Sequence, residues 1–290
     1  MQFIIYILIY PILWLISILP FPVFYAFSDV VCFLVYRIIG YRKKTVRYNI
    51  ALALPHLSIK EQRAVERKFY GHLCDLFLEM IKTLTLSKEA IQKHFVFTNI
   101  DLYHEYEAKN KSIVILYGHY ASWEWSTSIG LQAKFRGIGV YKKIKNKYFD
   151  KLVQHIRSRY NAELVDTKNT IRVVTENQRK GLKAVYGFIS DQNPKPQKAL
   201  LWDRFMGYTV PIHTGGEVLA RKLDMNILYL KIEKIARGKY EATFVPLCDE
   251  VKETPEFEIT KRFLREVEKQ ILEQPEYYFW THKRWKYKQE

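Results

Sequence analysis

A histidine and a glutamate stand five residues apart in the segment Gly118-His119-Tyr120-Ala121-Ser122-Trp123-Glu124. An imidazole that a carboxylate holds in one tautomer is a general base near neutral pH. It could take the proton from a substrate hydroxyl while that oxygen attacks a thioester. A thioester is already activated, so this chemistry needs neither a Ser or Cys nucleophile nor a metal. The spacing predicts His119 as the base and Glu124 as its orienting partner, although a structural histidine would fit the same spacing.

The backbone around this segment decides whether the two side chains can meet. On a regular helix, residues five apart point about 140° away from each other, because each residue turns the helix by about 100°. His119 must therefore lie on a turn that precedes the helix. The apolar run from Ser112 to Tyr117, followed by Gly118, predicts a buried strand that ends at such a turn, with a helix beginning at Ala121.

Strand-like runs alternate with helical periodicities along the rest of the chain. The predicted strands are 112–117, 139–141, 162–165, 185–190, 225–234 and 240–247, and the predicted helices are 59–84, 150–159, 170–179, 214–223 and 260–273. This alternation predicts an α/β fold with a mixed, largely parallel central sheet flanked by helices. Such sheets place their sites at strand ends. Asp191 and Gln192 follow a strand, so we expect them either to bind substrate or to cap a loop.

The N-terminus is strongly apolar. Residues 3–19 carry no charge, and this run of 17 residues is at the lower limit for a spanning helix. A second apolar run, 23–39, is interrupted by Asp29 and Arg37. The chain lacks the basic n-region and cleavage site of a signal peptide. We therefore predict a membrane anchor followed by an interfacial helix in residues 1–40, and a catalytic domain in residues 41–290. A buried core helix is the alternative for the first run.

The composition predicts a polyanionic partner. Forty-six Lys and Arg residues against 30 Asp and Glu give a formal charge of +16, which suits nucleic acid, an anionic membrane or an acidic carrier protein. The basic residues are dispersed and show no zinc spacing or RNA-recognition signature, so no nucleic-acid partner is expected. The basic cluster in 42–47 favours the cytoplasmic face of a membrane. Three scattered cysteines fit a reducing compartment.

The segment 118–124 resembles the His-x4-Asp/Glu motif of the lysophospholipid acyltransferase superfamily, and the closer likeness is to its lipid A late-acyltransferase branch. Further blocks resemble that branch in the same order and cover nearly the whole chain. They are 42–55 (RKKTVRYNIALALP), 141–146 (YKKIKN), 190–193 (SDQN), 205–222 (FMGYTVPIHTGGEVLARK) and 275–287 (PEYYFWTHKRWKY).

The resemblance implies transfer of a fatty acyl chain to a hydroxyl of an anionic membrane lipid, a lipid A precursor. It implies an acyl carrier protein thioester as the donor, with acyl-CoA as the alternative co-substrate and no bound cofactor. It also implies an enzyme of the inner (cytoplasmic) membrane whose catalytic domain faces the cytoplasm. His119 and Glu124 would be its catalytic residues.

One block departs from the branch. Lys142 stands where the branch usually has arginine, and Asn146 matches the asparagine that ends the block. Both are candidate substrate-binding residues. Because lysine is a point charge and cannot grip a phosphate with two parallel hydrogen bonds, the acceptor stays open. An aminoacyl lipid, a glycolipid or a pigment is the alternative acceptor for the same chemistry.

Overall fold

The computed structural model describes residues 2–289 and begins with an apolar helical hairpin. Helix α1 (Gln2–Ile18) is followed by α2 (Phe21–Phe33), which continues through a π-helical segment (Leu34–Ile39). Pro20 and Pro22 mark the turn, because proline suits the first helical positions and cannot continue a preceding helix. The hairpin leaves many large apolar side chains exposed: Phe3, Ile4, Ile7, Leu8, Ile12, Leu15, Val23, Val30, Phe33, Ile38 and Ile39.

Among residues 2–289, the second of these two helices is the one long and apolar enough to cross a membrane. Phe21–Ile39 spans 19 residues with a mean hydropathy of 1.6, and 11% of it is buried. The sequence placed the anchor in 3–19 and an interfacial helix after it, but α1 is the shorter helix, with Pro11 inside it. The second helix contains the charged residues Asp29 and Arg37, but it is still apolar enough on average to span a membrane.

Polar contacts tie the hairpin to the rest of the chain. Helix α4 (Ile59–Lys82) packs against both α1 and α2. Ser28 Oγ donates to Asp75 Oδ1 at 2.7 Å, and Arg237 Nη2 donates to both Asp75 and Asp29 at 2.7 Å. A buried Lys82 ammonium reaches the carbonyl of Ser17 at 2.9 Å, near the C-terminus of α1, where a cation complements the helix dipole.

The remaining helices flank one central sheet. They are α3 (Lys43–Ala53), α5 (Lys88–His94), α6 (Ile100–Ala108), α7 (Lys147–Ser158), α8 (Thr170–Arg179), α9 (Gly215–Leu223) and α10 (Glu258–Glu273), with 3-10 helices at Trp123–Leu131, Pro196–Lys198 and Pro275–Tyr277. A capping box of Ser58 and Glu61 begins α4: the Glu61 N–H donates to Ser58 Oγ at 3.3 Å, and the Ser58 N–H donates to Glu61 Oε2 at 2.7 Å.

The sheet is mixed and largely parallel, as predicted. Its strands are β1 (Phe95–Phe97), β2 (Ile113–Tyr117), β3 (Arg136–Tyr141), β4 (Ala162–Asp166), β5 (Ala184–Ile189), β8 (Asn226–Ala236) and β9 (Lys239–Pro246). They lie in the order β1-β9-β8-β2-β5-β3-β4, and β8–β9 is the antiparallel pair among parallel neighbours. All five residues of β2 are buried, which explains its unbroken apolar sequence.

Two local predictions differ from the structure. A separate antiparallel pair, β6 (Leu201–Phe205) and β7 (Tyr208–Ile212), was not predicted. The helix expected from Ala121 is a 3-10 helix that begins at Trp123. Ala121 itself lies in the left-handed region at φ 49°, so the chain bends sharply before the helix starts.

Helix α9 fixes β2 from one side of the sheet. A Cβ atom placed on Gly216 would lie 2.6 Å from Leu116 Cδ2 and 3.4 Å from Val114 Cγ1. Only a glycine allows α9 to approach β2 this closely. The strand that leads to His119 is therefore held by direct backbone-to-side-chain packing.

Candidate active site

The site forms where two neighbouring strands end. His119 lies on the turn after β2, as the sequence predicted, and Asp191 follows β5. Strands β2 and β5 pair in parallel, with Tyr117 opposite Ile189. The carboxyl ends of parallel neighbours meet at one edge of the sheet, so the two polar residues come together although they are far apart in the chain.

A short hydrogen bond joins the two side chains. His119 Nδ1 lies 2.7 Å from Asp191 Oδ1, and the backbone N–H of His119 donates to the same oxygen at 3.0 Å. The Asp191 side chain is 1% exposed and that of His119 is 20% exposed. Burial works to raise the pKa of Asp191, but the charge and hydrogen bonds of His119, aided by Arg284, lower that pKa overall. Asp191 is therefore an ionised acceptor, and His119 Nδ1 carries the donated proton.

Aromatic rings fix the orientation of the imidazole. Trp123 meets the His119 ring edge-on at a centroid distance of 5.2 Å, and Phe279 stacks on it at 5.8 Å. Trp123 and Phe279 also contact each other at 5.3 Å. With Nδ1 bonded to Asp191 and the ring held between aromatic side chains, Nε2 is the atom left to exchange a proton with a substrate.

Among the described residues, Glu124 contacts Arg157 and His119 contacts Asp191, so the predicted His119–Glu124 contact is not formed, and a catalytic role for Glu124 stays a prediction. Both carboxylate oxygens of Glu124 accept hydrogen bonds from Arg157, at 2.7 Å from Nε and 2.6 Å from Nη2. The planar guanidinium matches a carboxylate through two parallel bonds, which is a geometry that imidazole cannot offer. The bend at Ala121 and the 3-10 helix after it direct Glu124 to α7, while Asp191 takes the position beside His119.

The other predicted residues have different surroundings. Asp191 was predicted to bind substrate or to cap a loop; its buried carboxylate binds His119, and substrate binding by Asp191 stays a prediction. Asn146 accepts from the backbone N–H groups of Tyr148 and Phe149, at 3.0 and 3.4 Å, and so caps α7. Lys142 is exposed and Gln192 is partly buried. Substrate binding by Lys142, Asn146 and Gln192 stays a prediction.

The C-terminal tail is part of the site. The N–H of Phe279 donates to the carbonyl of His119, and the N–H of Ala121 donates to the carbonyl of Tyr277, both at 3.0 Å. Asn49 on α3 holds the tail in turn, because its amide donates to the carbonyls of Trp280 and His282, each at 2.7 Å. The sequence pointed to this tail only through its resemblance block, and no spacing indicated that Phe279 covers His119.

A buried arginine acts on Asp191 through its charge. Arg284 is 1% exposed, packs over the Phe205 ring at 4.8 Å and donates from Nη1 to the Pro211 carbonyl at 3.2 Å. Its charge is among the causes that lower the pKa of Asp191. The charge of this buried guanidinium favours the ionised form of Asp191.

An apolar cleft crosses the same sheet beside the site. Its walls come from one face of six consecutive strands, β9 to β4, and from the 3-10 helix that carries Glu124. The lining residues include Phe244, Leu230, Ile115, Tyr117, Val185, Gly187, Gly137 and Ala162. Its cavity volume is about 40 Å³.

An apolar cleft therefore lies beside a histidine that a buried carboxylate holds at the carboxyl ends of two parallel strands. The chain belongs to the bacterial lipid A biosynthesis acyltransferase family, whose model matches residues 1–287. It is 25% identical over 279 residues to the "Lipid A biosynthesis lauroyltransferase" of Escherichia coli (strain K12), covering 95% of this chain and 89% of that protein.

Two further relatives match over the same extent. They are the "Lipid A biosynthesis palmitoleoyltransferase" of Escherichia coli (strain K12) and the "Lipid A biosynthesis acyltransferase" of Shigella flexneri. Each is 23% identical over 283 residues, covering 95% of this chain and 89% of the relative. The resemblance that the sequence blocks indicated is therefore confirmed at the level of the family.

Proposed function

We propose that this protein transfers a fatty acyl chain from a thioester to a hydroxyl of a lipid A precursor, with His119 as the general base and Asp191 as its orienting carboxylate. The observation that carries this proposal is the 2.7 Å contact between His119 Nδ1 and a buried Asp191. A histidine held in this way has one free ring nitrogen, and that nitrogen is partly accessible at the edge of the sheet.

The proton moves in a closed cycle. His119 Nε2 takes the proton from the acceptor hydroxyl as the oxygen attacks the thioester carbon, which gives a tetrahedral intermediate. Asp191 stabilises the imidazolium that forms. When the intermediate collapses, the C–S bond breaks and the imidazolium returns the proton to the leaving thiolate. An ester and a free thiol result, and no covalent acyl-enzyme is needed.

The apolar cleft supports an acyl chain as the transferred group. Its polar lining is confined to Tyr117, Ser126 and Thr127, while the rest is aliphatic, aromatic or glycine. A Cβ atom on Gly137 would meet nothing within 4 Å. This strand position, which faces the cleft together with its partners Val185 and Ala162, therefore leaves open space for a hydrocarbon chain. Burial of that chain contributes about 0.8 kcal/mol per methylene group.

The proposed donor is an acyl carrier protein thioester, with acyl-CoA as the alternative. The chain carries a formal charge of +16, and an acidic carrier protein would be drawn to such a surface from a distance. The exposed Lys142, next to the loop that leads to α7, is one of these charges. A donor bound by this attraction would associate more slowly as the salt concentration rises.

The proposed location is the inner membrane, with the sheet on the cytoplasmic side. The apolar hairpin of α1 and α2 would sit in the bilayer, and the basic residues that follow it, from Arg42 to Arg47, would contact anionic headgroups. Cys32, Cys74 and Cys248 are free thiols, which is consistent with a reducing compartment.

Purified protein in detergent micelles tests this function. We would supply a lauroyl thioester on acyl carrier protein or on CoA, with a lipid A precursor, an aminoacyl lipid, a glycolipid and a pigment alcohol as separate acceptors. His119→Ala should abolish transfer, whereas the exposed His56→Ala should transfer at the wild-type rate. Normal turnover by the His119 variant would overturn the mechanism, and the acceptor that gains an ester identifies the substrate class.

A further inference from the structure

Helix α2 and the π-helical segment after it pack against the α/β domain from one end to the other. The contacts are, in chain order, Phe21 stacked on His94 at 4.1 Å, Tyr25 Oη donating to Glu79 Oε1 at 2.9 Å, Ser28 Oγ donating to Asp75 Oδ1 at 2.7 Å, and Tyr36 stacked on Tyr70 at 4.7 Å. Phe21 and Tyr36 are about 22 Å apart along a helix that rises about 1.5 Å per residue. The domain therefore follows this helix over most of the length that a bilayer crossing needs.

Charged groups of the domain lie beside the middle of this helix. The turn between β8 and β9 carries Arg237, whose Nη2 donates to Asp29 Oδ1 at 2.7 Å. Asp29 is 64% exposed and Arg237 is 38% exposed, and Lys239 at the start of β9 is exposed as well. A Cβ atom on Gly238 would overlap the Tyr25 hydroxyl, so the backbone of the turn touches the helix. Charged side chains and turn backbone are costly in hydrocarbon. The helix therefore cannot cross a bilayer while the domain holds it.

The connection between α1 and α2 is also attached to the domain. The Lys82 ammonium, at the C-terminus of α4, donates to the carbonyls of Ser17 and Leu19. The other end of α1 lies against α7, where the Phe3 and Tyr148 rings are 5.2 Å apart. A hairpin that crossed the bilayer would need its connection on the far side of the membrane, away from α4.

The side of the two helices that points away from the domain is an apolar strip. Its exposed members are Phe3, Ile4, Ile7, Leu8, Ile12, Trp14, Leu15, Val23, Val30, Phe33 and Ile38. A basic border flanks the strip at both ends, with Lys143 and Lys145 in the loop before α7 and with Arg37 and Lys44 at the end of α2 and the start of α3, all exposed. Residues 2–47 contain five basic residues and one acidic residue, Asp29, which pairs with the domain.

From this arrangement we propose that α1 and α2 lie within one leaflet of an anionic bilayer and do not cross it. The apolar strip would enter the boundary between headgroups and acyl chains, and the basic border would bind anionic headgroups. A second copy of this chain is a poorer occupant of the strip, because it would bring the same positive charges to the border. The inference rests on the proposed function, which places the acceptor in the membrane.

This placement brings the leaflet close to His119. Phe77 on α4 is 45% exposed and meets the Phe279 ring edge-on at 6.4 Å, and Phe279 stacks on His119. Ile81, one turn further along α4, packs in the same apolar cluster as Tyr10 of α1. A lipid hydroxyl would therefore reach the base past Phe77 and Phe279 without leaving the membrane surface.

Dithionite protection in inverted inner-membrane vesicles tests the topology. We would introduce Gln2→Cys, Pro20→Cys or Lys60→Cys into a Cys32→Ala chain, since Cys74 and Cys248 are buried. A membrane-permeant nitrobenzoxadiazole maleimide labels each variant, and dithionite then destroys the fluorophores on the outer side of the vesicle, which is the cytoplasmic side. The fluorescence of the protein band is measured on a gel, with detergent-solubilised vesicles as the baseline.

We expect dithionite to remove the fluorescence at all three positions. Protection at Pro20, with Lys60 reduced, would show a hairpin that crosses the bilayer, and protection at Gln2 alone would show a single span. Either result overturns the inference. Protection at all three positions would support the inference and overturn the proposed cytoplasmic side. A protein that acylates no acceptor would overturn the proposed function without changing these readings.

Vesicle flotation tests the basic border. Lys143→Glu/Lys145→Glu reverses two of its charges, and Arg179→Glu/Lys180→Glu makes the same change at exposed positions before β5, at the sheet edge opposite His119. With phosphatidylglycerol in the vesicles, the border variant should need about tenfold more lipid for half-maximal binding, because each basic residue near the surface adds to the attraction. The control variant should bind as wild type does, and all three should bind alike to pure phosphatidylcholine. Equal binding of both variants to the anionic vesicles would overturn the assignment of the border.

Discussion

Asp191 Oδ1 accepts hydrogen bonds from both the ring Nδ1 and the backbone N–H of His119, at 2.7 and 3.0 Å. One oxygen thus fixes the turn on which the histidine lies as well as the tautomer of its ring. The orienting carboxylate comes from the neighbouring strand of the sheet and not from the motif that carries the histidine.

Asp191→Asn should therefore cost most of the activity without unfolding the protein. The amide of asparagine can donate to Nδ1, which would place the ring proton on Nε2 and remove the base. Loss of the carboxylate that orients a catalytic histidine lowers kcat about 10⁴-fold in the serine-protease triad, so we expect a fall of about 10³- to 10⁴-fold here. Asp224→Asn, which alters a surface ion pair with Lys111, is the control. Transfer within tenfold of wild type would show that Asp191 is not the orienting group.

Gly137→Leu should shorten the acyl chain that the enzyme prefers. The new side chain would fill open space in the cleft, because a Cβ atom on Gly137 meets no atom within 4 Å. Competition among thioesters with chains of eight to sixteen carbons would measure the preference.

Gly216→Ala is the matched glycine control for this change. Its new methyl group would lie 2.6 Å from Leu116 Cδ2, which should lower the free energy of unfolding by about 1–3 kcal/mol. The preferred chain length should stay that of wild type. An unchanged chain length in Gly137→Leu would mean that the chain lies elsewhere.

Glu79→Gln should remove a pH dependence of stability. Burial raises the pKa of Glu79 to about 7 from its ordinary 4.5, and its two oxygens accept from the hydroxyls of Tyr25 and Tyr240. The folded state therefore holds the proton more tightly than the unfolded state. Protonated Glu79 contributes at most about 3 kcal/mol to the free energy of unfolding. This contribution is fully present below pH 4.5 and is lost as the pH rises through about 7.

Thermal unfolding in detergent, followed by tryptophan fluorescence from pH 4.5 to 8, measures this difference. The unfolding temperature of Glu79→Gln should vary less with pH than that of wild type. The unfolding temperature of the exposed variant Glu176→Gln should vary with pH as that of wild type does. Parallel curves for wild type and Glu79→Gln would contradict the raised pKa.

Asn49→Ala should loosen the tail from the histidine turn. It leaves the buried carbonyls of Trp280 and His282 without their amide donor, at a cost of about 1–3 kcal/mol. We expect faster proteolysis after residue 275 and a lower kcat, because Phe279 would no longer hold the His119 ring. Tyr48→Ala, at an exposed neighbouring position, should resist proteolysis as wild type does. Equal cleavage of all three proteins would show that Asn49 does not anchor the tail.

The sequence predicted the scaffold of the site better than its contacts. The apolar run before Gly118 was enough to place His119 on a turn after a buried strand, because a strand covered on both faces has no polar positions. The parallel sheet likewise placed Asp191 at the same edge. Spacing could not show that Asp191 contacts His119 across 72 positions, or that Arg157 engages Glu124 across 33 positions.

Those pairings depend on strand order and on the local backbone. The bend at Ala121 and the 3-10 helix turn Glu124 towards α7, and nothing in the local composition of 121–131 distinguishes this helix from an α-helix. Strands β6 and β7 were not predicted from the sequence. Their contacts with the tail and α10, such as Trp285 Nε1 to the Phe205 carbonyl, are tertiary.

The hydrogen bonds from Arg237 to Asp29 and Asp75 affect which hydroxyl of a lipid can reach His119. Strand β8 runs from the neighbourhood of β2 to the turn that carries Arg237, so one rigid hairpin connects the catalytic edge of the sheet to the apolar N-terminal helices. If those helices lie in a bilayer, His119 stays at a set height relative to the lipid surface. Among hydroxyls of equal reactivity, the enzyme would then esterify those that the acceptor holds at the same height above the membrane as His119.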